Sequence, residues 1–161
     1  MNTNGVIRAV FAVFFSALLL FIAPAYSFAQ DPVAAKFRSP DGRLSVSFNL
    51  EVAETPVKRM QGLMFRKTMN ADSGMIFIFP ESSARSFWMK DTYIPLDIIF
   101  LDEKFEVVTV LHDVPILNTQ PRKSKESAQY VVELNAGAAA RNGIEIGSKL
   151  VVSKPLPAAA E

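Results

Sequence analysis

The chain reads G-M-I-F-I-F-P from Gly74 to Pro80 and, after a short polar gap, S-F-W-M-K-D-T-Y-I-P-L-D-I-I-F from Ser86 to Phe100. Short apolar runs rich in aromatic and β-branched residues and bounded by turn formers read as strands. This gives strands at Met75 to Phe79, Ser86 to Lys90 and Leu96 to Leu101, followed by Phe105 to Leu111, Gln129 to Leu134 and Lys149 to Ser153. Turn signals separate them at Pro80, at Asp91-Thr92 with Pro95, at Asp102-Glu103-Lys104 and at Asn142-Gly143.

Upstream, Leu44, Val46, Phe48, Leu50 and Val52 alternate with polar side chains, the period of two expected of a half-buried strand. Thr55-Pro56 then reads as an N-cap followed by proline at the first helical position, opening a short helix to about Leu63. Val57, Met60, Leu63 and Met64 fall on one face of it, and Gly62 marks a close backbone approach or the helix end. Many short strands with one small helix predict a mainly β fold, an antiparallel β-sandwich or partly closed barrel. Residues 30–43 read as a lead-in, 44–154 as a single domain and 155–161 as a disordered tail, with a helical turn at Ala136 to Arg141.

The two quoted motifs, with R-M-Q-G-L-M-F-R at Arg59 to Arg66 and Y-V-V-E-L-N-A-G at Tyr130 to Gly137, resemble domain-of-unknown-function family 192 over roughly residues 44 to 153. The resemblance implies a mainly β, jelly-roll-like fold. It implies no reaction, substrate or catalytic residue. Many relatives carry Asn where this chain has Asp91, and some carry a Cys pair around the loop from His112 to Ala128, where this chain has none.

Residues 1–29 hold Arg8 as their only charge, an unbroken apolar run of fourteen residues from Ala9 to Ile22, and a small-residue site at Ser27-Phe28-Ala29. That is the pattern of a secretory signal peptide, and the run is short of the roughly 20 residues a membrane span needs. The expected product is exported, periplasmic in a Gram-negative source, with no transmembrane anchor after cleavage. With Arg8 gone, the 17 basic side chains become equal in number to the 16 acidic ones. A balance near zero lacks the basic excess of a nucleic-acid binder. There are no cysteines, so neither a disulfide framework nor lipid attachment at a lipobox is available.

Two carboxylates stand inside apolar strands, Asp97 in L-D-I-I-F-L and Glu133 in V-V-E-L. A buried carboxylate must pair, accept hydrogen bonds or hold a proton. One reading makes them structural, tying strand ends to a loop or to Arg66. The other makes them an acid and base pair acting on a glycan or ester, with Lys90 or Arg66 holding negative charge. Nucleophilic catalysis has little to draw on, since His112 is the only histidine and no G-x-S-x-G elbow occurs.

Met60, Met64, Met75 and Met89 are the candidate ligands for a soft metal such as Cu(I), with Trp88 beside them; their alternative role is core filling. Alternation places Phe87 and Met89 on one strand face and Trp88 with Lys90 on the other, so Trp88 is either core or the lining of a groove. The long connection from His112 to Ala128, seventeen residues with Pro115 and Pro121, exceeds the usual loop length. The reading that joins these features is an exported, non-catalytic envelope domain that binds a ligand or protein through Arg66, Trp88, Lys90 and Asp91, with no cofactor. The alternatives are a carboxylate-dependent hydrolase or lyase using Asp97 and Glu133, and a methionine-based Cu(I) binder.

Overall fold

In the computed structural model, which describes residues 31–161, seven strands form one sheet in the order β6-β5-β8-β3-β2-β1-β9. The strands are β1 (Val33–Arg38), β2 (Phe48–Ala53), β3 (Ser73–Ser83), β5 (Leu96–Leu101), β6 (Val107–Val114), β8 (Ala128–Asn135) and β9 (Lys149–Val152). A two-residue ribbon, β4 (Ser86–Phe87) with β7 (Arg122–Lys123), lies apart from the sheet. The sheet curls until its ends meet at an antiparallel bridge between Glu106 and Lys149, so it is a partly closed barrel. Residues 1–29, read above as a signal peptide, lie outside the described residues.

Curling puts one apolar face inside and leaves the other to be covered. Phe37, Leu50, Ile76, Ile99, Val132 and Leu134 fill the first face, which the small helix α2 (Ala138–Arg141) plugs with Ala138 and Ala139. Met75, Phe77, Met89, Ile98, Phe100 and Val131 form a second cluster on the opposite face. Strands β3, β5 and β8 serve both clusters, which is why their central runs, such as Met75 to Phe79 and Ile98 to Leu101, are apolar on both faces. Strands β3 and β8 also approach closely at Gly74, where a Cβ would stand 2.5 Å from the Glu133 carbonyl oxygen.

The helix α1 (Pro56–Gln61) begins and ends as its residues direct. The Thr55 hydroxyl accepts from the Lys58 N–H at 3.2 Å, Pro56 opens the first turn, and the Gly62 N–H donates to the Lys58 carbonyl at 2.9 Å. Gly62 is also the close approach its sequence position suggested, since a Cβ there would lie 3.3 Å from the Phe77 ring.

Several expectations are corrected. The lead-in carries β1, whose Val33, Ala35 and Phe37 are core, and the alternating strand begins at Phe48 because Leu44 and Val46 are exposed. Pairing is mixed, since β2 and β3 run parallel around α1. The described residues hold two short helices, and the apolar face read on α1 does not bury: Val57 and Met60 are more than 70% exposed, while Leu63, just beyond the helix, is core. A six-residue helix has too few turns to sink a whole stripe. Strand pairing in the Ser86 to Lys90 segment stops at Phe87. The long loop is partly structured, with β6 extending to Val114 and β7 pairing β4. The tail packs Leu156 and Ala159 on the core, and the Ala160 N–H donates to the Glu54 carbonyl at 2.8 Å.

Candidate functional site

A cavity of about 310 Å³ opens on the second face, between α1 and β4. It is bounded by Arg59 to Met64 on one side, by Phe77 and Phe79 of β3, and by Ser86, Phe87 and Trp88 on the other, with Glu133 of β8 also lining it. Phe87 is wedged edge-on against Phe77, Phe79 and Phe100, with centroids 5.0, 6.3 and 5.8 Å away, which fixes the strand that presents Trp88. Trp88 is therefore a groove residue, 49% exposed, while Met89 next to it is fully buried. A second cleft of about 220 Å³ shares Ser86, Phe87 and Trp88 and is completed by Thr119 and Pro121 from the long loop.

Glu133 is the unusual group. Its residue is 4% exposed, and no hydrogen bond or ion pair among the described residues offsets its burial, which pushes the carboxyl up to about 8. At neutral pH it is an uncharged acid facing an apolar cavity. Its neighbours across the sheet on the same face are Met75 and Ile98, both apolar. Among the described residues no other carboxyl lines the cavity.

Arg59 lines the cavity, and two further cations, Arg85 and Lys90, rest on its aromatic walls without being part of the lining. The Arg59 guanidinium donates to the Glu54 and Ile78 carbonyls at 2.5 and 2.9 Å and to Ala160 at 3.0 Å, and it sits 5.2 Å from the Phe79 ring centroid. Arg85 lies 3.9 Å from the same ring centroid and donates to the carbonyls of Ala128, at 3.0 Å, and Glu81. Lys90 rests 5.7 Å from the Trp88 ring centroid and has no ion-pair partner among the described residues. The turn that carries Lys90 is stitched on both sides: Phe65 N–H to Asp91 carbonyl at 2.7 Å, Leu117 N–H to Thr92 carbonyl at 3.1 Å and Met89 N–H to Asn118 carbonyl at 2.7 Å.

The other predicted residues separate. Asp97 is buried on the opposite face, where its two oxygens accept from the Asp113 N–H at 3.0 Å and the Ala139 N–H at 2.8 Å. It satisfies a bulge: β5 has only Asp97 between Leu96 and Ile98 where β6 has His112 and Asp113, the latter at φ 48°. The acid and base pair of the sequence reading is thus corrected, because strand alternation aims the two side chains apart.

Arg66 binds both Glu51 oxygens at 2.5 Å, away from the cavity lining and from both buried carboxylates. Asp91 does not line the cavity either; its φ of 51° is the left-handed conformation that Asp and Asn tolerate, which accounts for either residue at that position. Of the four methionines, Met60 and Met64 reach the cavity, whereas Met75 and Met89 belong to the core cluster. The sequence reading passed over Arg59, Phe79 and Phe87 as site residues; the motif around Arg59 was the available signal for the first.

Residues 37–152 match the profile of the family described as DUF192, uncharacterised ACR, and the chain belongs to that family. A UPF0127 protein of Pyrococcus horikoshii is 32% identical over 112 residues, 66% of this chain and 90% of the relative. A crystal structure from Sinorhizobium meliloti, described as a candidate transcription regulator, is 34% identical with a TM-score of 0.72, covering 75% of this chain and 93% of that one. A protein of unknown function from Novosphingobium aromaticivorans is 32% identical with a TM-score of 0.69, covering 74% and 84%.

Proposed function

We propose that this member of the DUF192 family is an exported binding domain that takes a small, largely apolar ligand into the cavity beneath α1, without turnover. The observation that carries this reading is Glu133, an unpartnered buried carboxyl lining an apolar cavity. An orphaned polar group in such a place costs stability unless something fills it, and pockets with apolar walls and one convergent polar group are the usual form of small-ligand sites. Support also comes from convergence, since Arg59 to Met64, Phe77 with Phe79, Ser86 to Trp88, and Glu133 come from the four separate stretches that mark the family resemblance.

Export rests on the apolar run and small-residue site of residues 1–29. The regulator description of the Sinorhizobium protein is not carried over, because the mature chain has no basic excess with which to follow a phosphate backbone. The metal reading retains two thioethers, Met60 and Met64, beside Trp88.

Trp88, the only tryptophan, is a built-in probe at the cavity wall. Titration of the mature protein with small aromatics, cell-wall fragments and Ag(I), following Trp88 emission and melting temperature, should give a saturable shift with one class. A folded protein that is silent to every class rejects the reading. Consumption of the bound compound replaces binding with catalysis.

A further inference from the structure

The charges around the cavity are unevenly placed, and the asymmetry selects among ligands. Cations flank the cavity: Arg59 on α1 lines it, and Arg85 ahead of β4 and Lys90 in the turn after it rest on the lining rings of Phe79 and Trp88 without lining it themselves. The acids on the same elements are engaged or lie off the lining. Glu54 holds Lys58 at 2.8 Å, and Glu81 and Asp91 are not part of the lining, the Glu81 carboxylate acting instead on the Arg85 charge. Arg59 and Arg85 are oriented by backbone carbonyls, and the carboxylates of Glu54 and Glu81 partly offset their charges. Lys90 has no ion-pair partner among the described residues and is the cation best placed to turn toward a ligand.

We propose, on the binding reading above, that the ligand is a free amphiphilic carboxylate. Its apolar or aromatic body lies against Phe77, Phe87 and Trp88, an uncharged acceptor oxygen meets the Glu133 carboxyl, and its carboxylate stays at the mouth beside Lys90.

Three considerations select this class. The volume suits a ligand of one or two rings, and the ring walls supply the burial. Glu133, held protonated, has an O–H to donate, so the ligand atom that satisfies it is an acceptor. A cationic ligand would meet Arg59 in the lining, with Arg85 and Lys90 close by on its rings, and would have to ionise Glu133, whereas an anionic head is drawn toward these cations and spared desolvation at the opening. The groups that face Glu133 are Met75 and Phe77 of β3, Ile98 of β5, and the α1 segment with Thr92; among the described residues Arg59 is the only other charged group of the lining. Raising the pH above about 8 removes the donor and places a negative charge beneath the ligand.

The experiment compares three molecules of one skeleton, para-methoxyphenylbutanoate, para-methoxyphenylbutanol and para-methoxyphenylbutylamine, by Trp88 emission and calorimetry at low salt. Near pH 6.5 the carboxylate should bind roughly two- to fivefold tighter than the alcohol, and the amine most weakly. Lys90→Ala should remove the carboxylate's advantage and leave the alcohol unchanged. Between about pH 7 and pH 9 the carboxylate should weaken about tenfold, and Glu133→Gln should flatten that dependence. An alcohol that binds as well as the carboxylate, or an amine that binds best, overturns this inference and leaves the binding reading standing. Silence from all three in a folded protein overturns both.

Discussion

Asp97 and Glu133 stand on adjacent strands, one residue out of register, and project from opposite faces of the sheet. Asp97 lies opposite Leu134, which packs with the inner cluster, and Glu133 lies opposite Ile98, which packs with the outer one. The two buried carboxyls therefore have different duties. Asp97 accepts two backbone N–H donors and holds the β6 bulge and the first turn of α2, whereas Glu133 accepts none.

Replacing Asp97 by Asn should destabilise the fold, because the amide presents an NH2 group where a second acceptor is required and leaves a buried N–H unpaired. The expected loss is about 1–3 kcal/mol, read as a lower urea midpoint with an unchanged slope. Ligand-induced changes in Trp88 emission should survive under conditions where the variant is folded. A variant as stable as the parent would contradict the role assigned to Asp97.

Glu133 sets a pH dependence whose sign is opposite to that of a salt-bridged carboxylate. Its folded-state value is raised from 4.5 to about 8, so between those values the unfolded chain ionises while the folded one keeps its proton. The folded state then binds more protons, and stability falls as pH rises through that window, by up to about 1.4 kcal/mol per pH unit. Below the window both states are protonated, and above it both are ionised. Unfolding midpoints of the parent and Glu133→Gln, measured across this range, should converge toward its acid end and separate in favour of the variant at its basic end. Parallel curves would mean that Glu133 ionises normally.

The central strands were legible because β3, β5 and β8 are apolar on both faces, and a strand covered twice announces itself by composition. Strand β1 was obscured by Pro32 and Pro40 on either side, although Val33, Ala35 and Phe37 do alternate. Trp88, Lys90 and Glu133 were identifiable as unusual from their neighbours. Which sheet face each carboxyl occupies was not, since facing depends on register between strands far apart in sequence. The same limit concealed the partner of Arg66, because Glu51 reaches it only after β2 and β3 align in parallel around α1.

Arg66 should consequently be dispensable for binding. Its pair with Glu51 is bidentate but partly solvated on both sides, at 33% and 41% side-chain exposure, so Arg66→Ala should cost at most about 1 kcal/mol. Trp88 emission should respond to ligand as in the parent protein. Loss of binding in a fully stable Arg66→Ala variant would return Arg66 to the site.

The C-terminal tail should matter to the cavity despite its lack of regular structure. Leu156 and Ala159 cover part of the inner core, and Ala160 is held at both ends of its peptide, donating to Glu54 and accepting from Arg59. Arg59 in turn ties α1 to Ile78 of β3 and forms part of the cavity wall. Deleting residues 156–161 removes the apolar cover and one of the three carbonyls that orient the guanidinium, so α1 loses a restraint where the cavity opens. We expect a loss of roughly 1–3 kcal/mol, mostly from Leu156. Amides of α1 should also exchange faster with solvent than the global change explains, because local opening of a six-residue helix depends on its few tertiary ties. A truncated chain with unaltered exchange in α1 would show that the tail covers the core without bracing the site.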